Sequence, residues 1–325
     1  MTQGSDRVVS NSLLKWIAIL IFVASGLIAA AIPGAAETSE MRARAKMLDD
    51  VRHWGCQYQR ADKEAIKASP LDLIVVDQDF DGAFLEADDV RALKSKPDGS
   101  KRLVFAYLSV GEAENYRHYW QPEWSANKPA WLGPINPNWP TSYHVRFWHE
   151  QWQKIVFRGP DSFLDRILGA GFAGVLLDRV DAFWDWRKEK ADAKRHMVDL
   201  VEALAAKARS RDPAFLIIGQ NAEPMLQIKR YRETIDAVSK EVLLYSLKAP
   251  EAANAASDVQ WSLNHLKVAQ NAGLKILTIE YLSDAKKIAI ARQRHEKLGF
   301  IPFFGNRALD RLPGAVEAEA IAGER

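Results

Sequence analysis

Val175-Leu176-Leu177-Asp178 is a short apolar run that stops on a carboxylate, and five other runs have the same form, each ending on or running on to an acid or amide. They are Leu73-Ile74-Val75-Val76-Asp77, Leu103 to Tyr107 running on to Glu112, Phe215 to Ile218 running on to Asn221, Ile235 to Val238 running on to Glu241, and Ile276-Leu277-Thr278-Ile279-Glu280. A continuous apolar run of this length reads as a parallel strand buried on both faces, and the C-terminal ends of such strands carry the chemistry of α/β barrels. Five strand ends aiming acids at one mouth point to acid/base chemistry.

Adding Trp54 to Tyr58 and Gly299 to Phe304 brings the expected strands to eight: 54–58, 71–76, 103–108, 173–177, 215–218, 235–238, 276–279 and 299–304. The intervals carry helical patterns, as in Lys194 to Ala208, where Met197, Val198, Val201, Leu204 and Ala205 recur on the 3.6-residue period. Eight strands alternating with helices make an α/β fold closed as a (β/α)8 TIM barrel. An open doubly wound sheet is the alternative, but no glycine-rich phosphate turn follows the first strand. The connection after the third strand exceeds sixty residues and is rich in Pro, Trp, Asn and Tyr from Gly111 to Arg146, ahead of an expected helix over 147–156. Loops this long inside a compact domain are usually functional, so it reads as a rigid aromatic wall beside the barrel mouth.

The 325 residues hold 44 basic and 42 acidic side chains, a net charge of +2, with no Lys/Arg-dense stripe, which argues against a nucleic-acid partner. Eleven Trp exceed what a core needs, and aromatic faces beside polar groups suit pyranose rings, although large aromatics also pack beneath long loops. Arg7, the apolar segment Leu13 to Ile32, and small residues at Gly34 and Ala36 read as an export signal over 1–36. The segment is nearly long enough to span a bilayer, so it reads either as cleaved after Ala36 or as an N-terminal membrane anchor. A linker or short helix over 37–51, the barrel over 52–305 and a C-terminal helix or tail over 306–325 complete the expected organisation. Cys56 is the single cysteine, so there is no intrachain disulfide and no zinc spacing; it reads as a small buried hydrophobe rather than a nucleophile.

Asp178 at a strand end points over the barrel axis, and Glu241 supplies a second carboxyl two strands on, the minimum machinery for glycoside hydrolysis. One of the two must hold a raised pKa to donate a proton near neutrality, which burial and mutual repulsion supply. Gly111 is expected to turn the backbone so that Glu112 bends over the mouth, and Asp77, Asp181 and Glu280 complete a ring of acids. Asp77-Gln78-Asp79-Phe80-Asp81-Gly82 has some look of a calcium loop, but its twelfth position is Asp88 rather than Glu, and neither metal nor cofactor is expected.

Tyr107 to Arg117 with Tyr119-Trp120, Trp131-Leu132-Gly133, Asn136-Pro137 with Trp139-Pro140, Val145-Arg146-Phe147-Trp148, and Gly171 to Asp181 together resemble glycoside hydrolase family 114, the endo-α-1,4-polygalactosaminidase family. The resemblance runs from about Trp54 to Phe304 and implies a TIM barrel, hydrolysis of α-1,4-linked galactosamine polymers, and catalytic carboxyls at Asp178 and Glu241. Tyr107, Arg146, Trp148 and Asn221 join Asp77, Glu112, Asp181 and Glu280 as expected substrate-binding residues. The chain departs from the family where Phe172-Ala173-Gly174 stands for Phe-Asp-Gly and where Arg179 replaces an aliphatic residue. Arg179 beside Asp178 is expected to favour the ionised carboxylate. The expected partner is an amino-sugar polysaccharide, with the membrane touched only through the N-terminal segment. A noncatalytic polysaccharide-binding barrel of an envelope or biofilm complex is the rival, since the same aromatic wall serves it. A cytosolic RNA or aminoacylation factor conflicts with the export segment.

Overall fold

In the computed structural model, which describes residues 33–60, 62–80 and 83–312, the eight expected strands pair side by side, all parallel and in chain order. They are β1 (Trp54–Gln57), β2 (Leu73–Val76), β3 (Leu103–Ser109), β4 (Gly174–Asp178), β5 (Leu216–Gln220), β6 (Ala237–Glu241), β7 (Lys275–Tyr281) and β8 (Ile301–Gly305). The Trp54 indole N–H donates to the Ile301 carbonyl at 2.9 Å and its ring packs on Phe303, bringing β1 against β8. The sheet is a nearly closed TIM barrel.

Strand periodicity sorts the apolar residues into two cores. Cys56, Leu73, Val75, Phe105, Leu176, Leu216, Ile218, Leu277, Ile279 and Phe303 fill the barrel. Their neighbours Ile74, Val76, Val104, Ala106, Val175, Leu177 and Ile217 face the surrounding helices. Ala193–Arg211, the helix expected from the 194–208 pattern, buries Met197, Val201 and Leu204 there. Local signals fix the entry to β4. Ser162 and Asp165 form a capping box at the start of helix Phe163–Ala170, and Gly171, at φ 79°, ends it in the left-handed conformation that glycine adopts without steric cost. Gly174 follows, where a Cβ would lie 2.3 Å from the Leu216 carbonyl oxygen, so β4 can pair with β5 at this point only through glycine.

The long connection is more ordered than expected. Glu112–Glu114, Leu132–Asn136 and Trp139–Val145 make a three-stranded antiparallel sheet, and Pro137-Asn138 is the turn of its hairpin, with the Asn136 side chain accepting from the Asn138 N–H at 3.0 Å. Most of its aromatics pack on one another: Trp120 against Trp124 and Tyr143, Trp131 against Trp124 and Trp152. The expected wall is therefore mainly the insertion's own core. The expected 147–156 helix is shorter, an α-turn at Glu150–Gln153 running into a π-helical turn at Lys154–Arg158.

Of the linker or short helix expected over 37–51, the structure has a helix, Pro33–Met47, which docks on the barrel, where buried Arg44 bonds Asp236 at 3.0 Å and the Pro213 carbonyl at 3.2 Å. The apolar segment 13–32 lies outside the described residues, and among those described no helix is long and apolar enough to cross a membrane. Residues 306–312 form no helix. They continue β8 along the barrel mouth, where the Leu309 carbonyl accepts the N–H groups of Tyr58 and Gln59. Residues 313–325 of the expected tail lie outside the described residues.

Candidate active site

The alternation that fills the barrel also delivers its mouth. One step of two residues beyond Cys56, Val75, Phe105, Leu176, Ile218, Ser239 and Ile279 come Tyr58, Asp77, Tyr107, Asp178, Gln220, Glu241 and Tyr281. All seven line one cleft of about 820 Å³. Asp77, Tyr107, Asp178 and Glu241 were expected there from the sequence. Gln220 was missed because the expected strand stopped at Ile218, Tyr58 because its strand ends on no acid or amide, and Tyr281 because the neighbouring acid drew the assignment.

Asp178 accepts three hydrogen bonds: from the Tyr107 hydroxyl (2.8 Å), its neighbour's Arg179 N–H (2.7 Å) and the Gln220 amide (3.1 Å). Donors from three directions fix the plane of the carboxyl. Arg179 itself is left-handed, at φ 59°, an uncommon state for a non-glycine residue, and this turn aims its N–H back at Asp178. The Arg179 guanidinium meets Glu112 at 2.9 Å, Asp181 at 3.2 Å and Asp185 at 2.5 Å, and it also interacts through charge with Asp178. Gly111 has a second task besides the expected turn. The chain bends there and Glu112 reaches the cleft, without a left-handed φ; a Cβ would sit 2.4 Å from the Arg179 carbonyl oxygen and 2.4 Å from the Ala182 Cβ, so glycine also admits the Arg179 turn.

Glu241 ends β6 and is followed by Val242 at φ 48°, a costly conformation for a β-branched residue. One carboxyl oxygen accepts from the Tyr281 hydroxyl and the other from Asn221 Nδ2 at 3.1 Å. Burial, reinforced by the negative charge of Asp178, holds the Glu241 carboxyl above its ordinary value. Lys240, its neighbour, points to the outer face and pairs with Glu223 at 2.9 Å.

Asp77 is gripped by both terminal nitrogens of Arg117, at 2.6 and 2.8 Å, while Arg117 Nε reaches Glu114 at 2.6 Å. The Arg117 side chain is fully buried and clamps the insertion to β2. Glu112 takes the Asn136 amide at 2.8 Å beside Arg179; burial raises its carboxyl despite that cation. Burial likewise raises Asp181, with Arg179 opposing and Asp178 adding to the shift. Glu112, Asp181 and Asn221 all line the cleft, as do Trp139 and Tyr116 from the insertion and Arg307 from the segment after β8. Asn221 reaches it at φ 56°, one residue past β5. Cys56 lies below, fully buried, its thiol pushed up by burial.

Three expected residues lie elsewhere. Glu280 is fully buried among the outer elements, accepting the N–H groups of Leu244 (2.7 Å) and Tyr245 (3.2 Å) and contacting His295 at 3.1 Å, because Tyr281 rather than Glu280 has the inward parity on β7. Arg146 forms a two-point bond with Glu189, at 2.6 and 3.0 Å, and lies over the Trp186 ring. Trp148 packs edge-on against Trp186 and Phe147. None of the three lines the cleft.

The family model described as glycoside-hydrolase family GH114 matches residues 35–319, nearly the whole of the chain. The chain belongs to GH114. A protein of Deinococcus radiodurans is 36% identical to this GH114 chain over 270 residues, covering 82% of it and 83% of the relative. One of Thermotoga maritima is 32% identical over 271 residues, 79% and 81% of the two chains; both are described only as uncharacterized proteins. Among solved structures, the glycoside hydrolase domain of PelA from Pseudomonas aeruginosa superposes with a TM-score of 0.61 at 22% identity, over 81% of this chain and 97% of that one. The α-galactosidase TtGalA from Thermus thermophilus gives a TM-score of 0.51 at 10% identity, over 88% and 68%. At these identities the two structures share the barrel fold with this GH114 chain.

Proposed function

We propose that this GH114 protein is an exported hydrolase of α-1,4-linked galactosamine-type polysaccharide, with Glu241 as general acid and Asp178 as the facing carboxylate. The observation that carries the reading is the asymmetry of the pair: Glu241 is held above its ordinary pKa by burial and by Asp178, while Asp178 is fixed by three donors. Glu241 gives its proton to the glycosidic oxygen as the bond to the anomeric carbon breaks. Asp178 meets the positive charge that develops on that carbon, as nucleophile or as the base that activates water. The cleft holds seven carboxyls, Asp77, Asp79, Glu112, Glu114, Asp178, Asp181 and Glu241, against four guanidiniums, Arg60, Arg179 and Arg307 in its lining and Arg117 behind Asp77 and Glu114. That excess attracts a chain of free amino sugars, and Trp139 and Tyr116 offer ring faces to its pyranoses. Export rests on the Arg7 and Leu13 to Ile32 pattern of the N-terminus.

A panel of α-linked galactosamine and N-acetylgalactosamine polymers, assayed for new reducing ends, tests the substrate. Release from the galactosamine polymer is expected. Release from neutral glycans alone would overturn the substrate class, and binding of the polymer with no release would favour the noncatalytic barrel.

A further inference from the structure

A second cavity, of about 870 Å³, opens beside the catalytic cleft and shares Tyr281 and Arg307 with it. It is built from the segment after β6, the ends of β7 and β8, and the residues that follow β8. Its charge is opposite to that of the cleft. Lys248, Arg307 and Arg311 line it, with Glu251 the sole carboxyl in the lining. Glu251 is occupied by the Ser283 N–H at 2.7 Å, the Ser283 hydroxyl and Lys287. Among the described residues, Lys248 and Arg311 have no ion-pair partner, and Arg307 rests on the rings of Trp139 and Tyr281 at 5.8 and 5.9 Å. The Asn306 side-chain oxygen is buried without a hydrogen-bond partner, while its amide nitrogen bonds Asp310 at 2.5 Å. Leu247, Leu282 and Phe304 give the cavity apolar walls.

Apolar walls, the two cations Lys248 and Arg311 without ion-pair partners, and Arg307 at the border with the cleft make a site for a sugar bearing an anionic group. Tyr281 connects it to the chemistry, since its hydroxyl donates to Glu241 and its ring borders both cavities. We infer that the second cavity is a subsite for an anionic sugar unit adjoining the amino sugar at the catalytic carboxyls, so that the substrate is a polymer of mixed charge. The inference rests on the amino-sugar reading of the cleft.

The test compares wild type with the double variant Lys248→Ala/Arg311→Ala, two exposed residues outside the catalytic cleft, with melting curves to verify folding. Substrates are a fully cationic α-1,4-galactosamine polymer and the same polymer partly N-succinylated, which converts some amines to carboxylates. On the succinylated polymer the double variant is expected to raise KM about tenfold, the weight of two exposed charge contacts, and to leave the cationic polymer unaffected. Equal KM values for wild type and variant on both polymers would overturn the subsite. If wild type cleaves neither polymer, the amino-sugar reading fails, and the cavity is judged on its own by calorimetric binding of digalacturonate to Asp178→Asn. An affinity about tenfold weaker with Lys248→Ala/Arg311→Ala added upholds the anionic site, and an unchanged affinity overturns it.

Discussion

Asn221 holds Glu241 by two bonds: its Nδ2 donates to the carboxyl at 3.1 Å, and its Oδ1 accepts the Glu241 backbone N–H at 3.1 Å. The left-handed turn at Asn221 makes this grip possible, and the side-chain bond favours the ionised form of Glu241. Asn221→Ala removes that opposition and lets burial push the carboxyl higher. A general acid works while protonated, so activity falls as pH rises through its pKa. The basic limb of the kcat/KM profile is therefore expected to move upward in Asn221→Ala, with kcat lowered about tenfold by loss of orientation. A pH–rate profile checks both.

Glu241 should cost the protein stability. A carboxyl whose folded pKa is raised carries no penalty below its unfolded value, where both states are protonated; the penalty grows as pH rises through the folded value. Glu241→Gln is expected to melt above wild type at about pH 8, with the gain shrinking toward about pH 4. Thermal melts at the two pH values measure this, and a gain independent of pH would contradict it.

Arg117 balances two buried carboxylates, Asp77 and Glu114. Arg117→Met leaves both unpaired, an expected loss of roughly 3–5 kcal/mol, since removing one side of a buried ionic group strands the other. Denaturant unfolding checks it. A loss below about 1 kcal/mol would mean that the network is solvated in solution.

The barrel was legible because its strands are buried on both faces, and uninterrupted runs such as Leu73 to Val76 and Val175 to Leu177 have no other good reading in a chain this size. The mouth was legible only in part. Counting alternate residues outward from Val75, Phe105 and Leu176 gives Asp77, Tyr107 and Asp178, and the same count from Ile218 and Ile279 gives Gln220 and Tyr281. Chemistry alone selected Glu280 over Tyr281, and a single step of register sends it outward to His295 and the turn after β6. Arg146 and Trp148 were drawn in by motif, while their partners Glu189 and Trp186 lie some forty residues on, a pairing that only the fold creates. The small sheet of the Trp-rich insertion was not legible, because its strands carry Pro134 and Pro140, residues depleted in sheets, while Pro137 occupies the hairpin turn between them.

The proposed cleavage of a glycosidic bond by Asp178 and Glu241 is tested most directly by Asp178→Asn. Asn keeps the size of the side chain; its Oδ1 can accept from the Arg179 N–H and the Gln220 amide while its Nδ2 donates to the Tyr107 hydroxyl, so the barrel should melt within about 2 °C of wild type. Reducing-end release from a de-N-acetylated α-1,4-galactosamine polymer is expected to fall by at least about a thousandfold. Turnover near the wild-type rate in a folded Asp178→Asn protein would contradict the account.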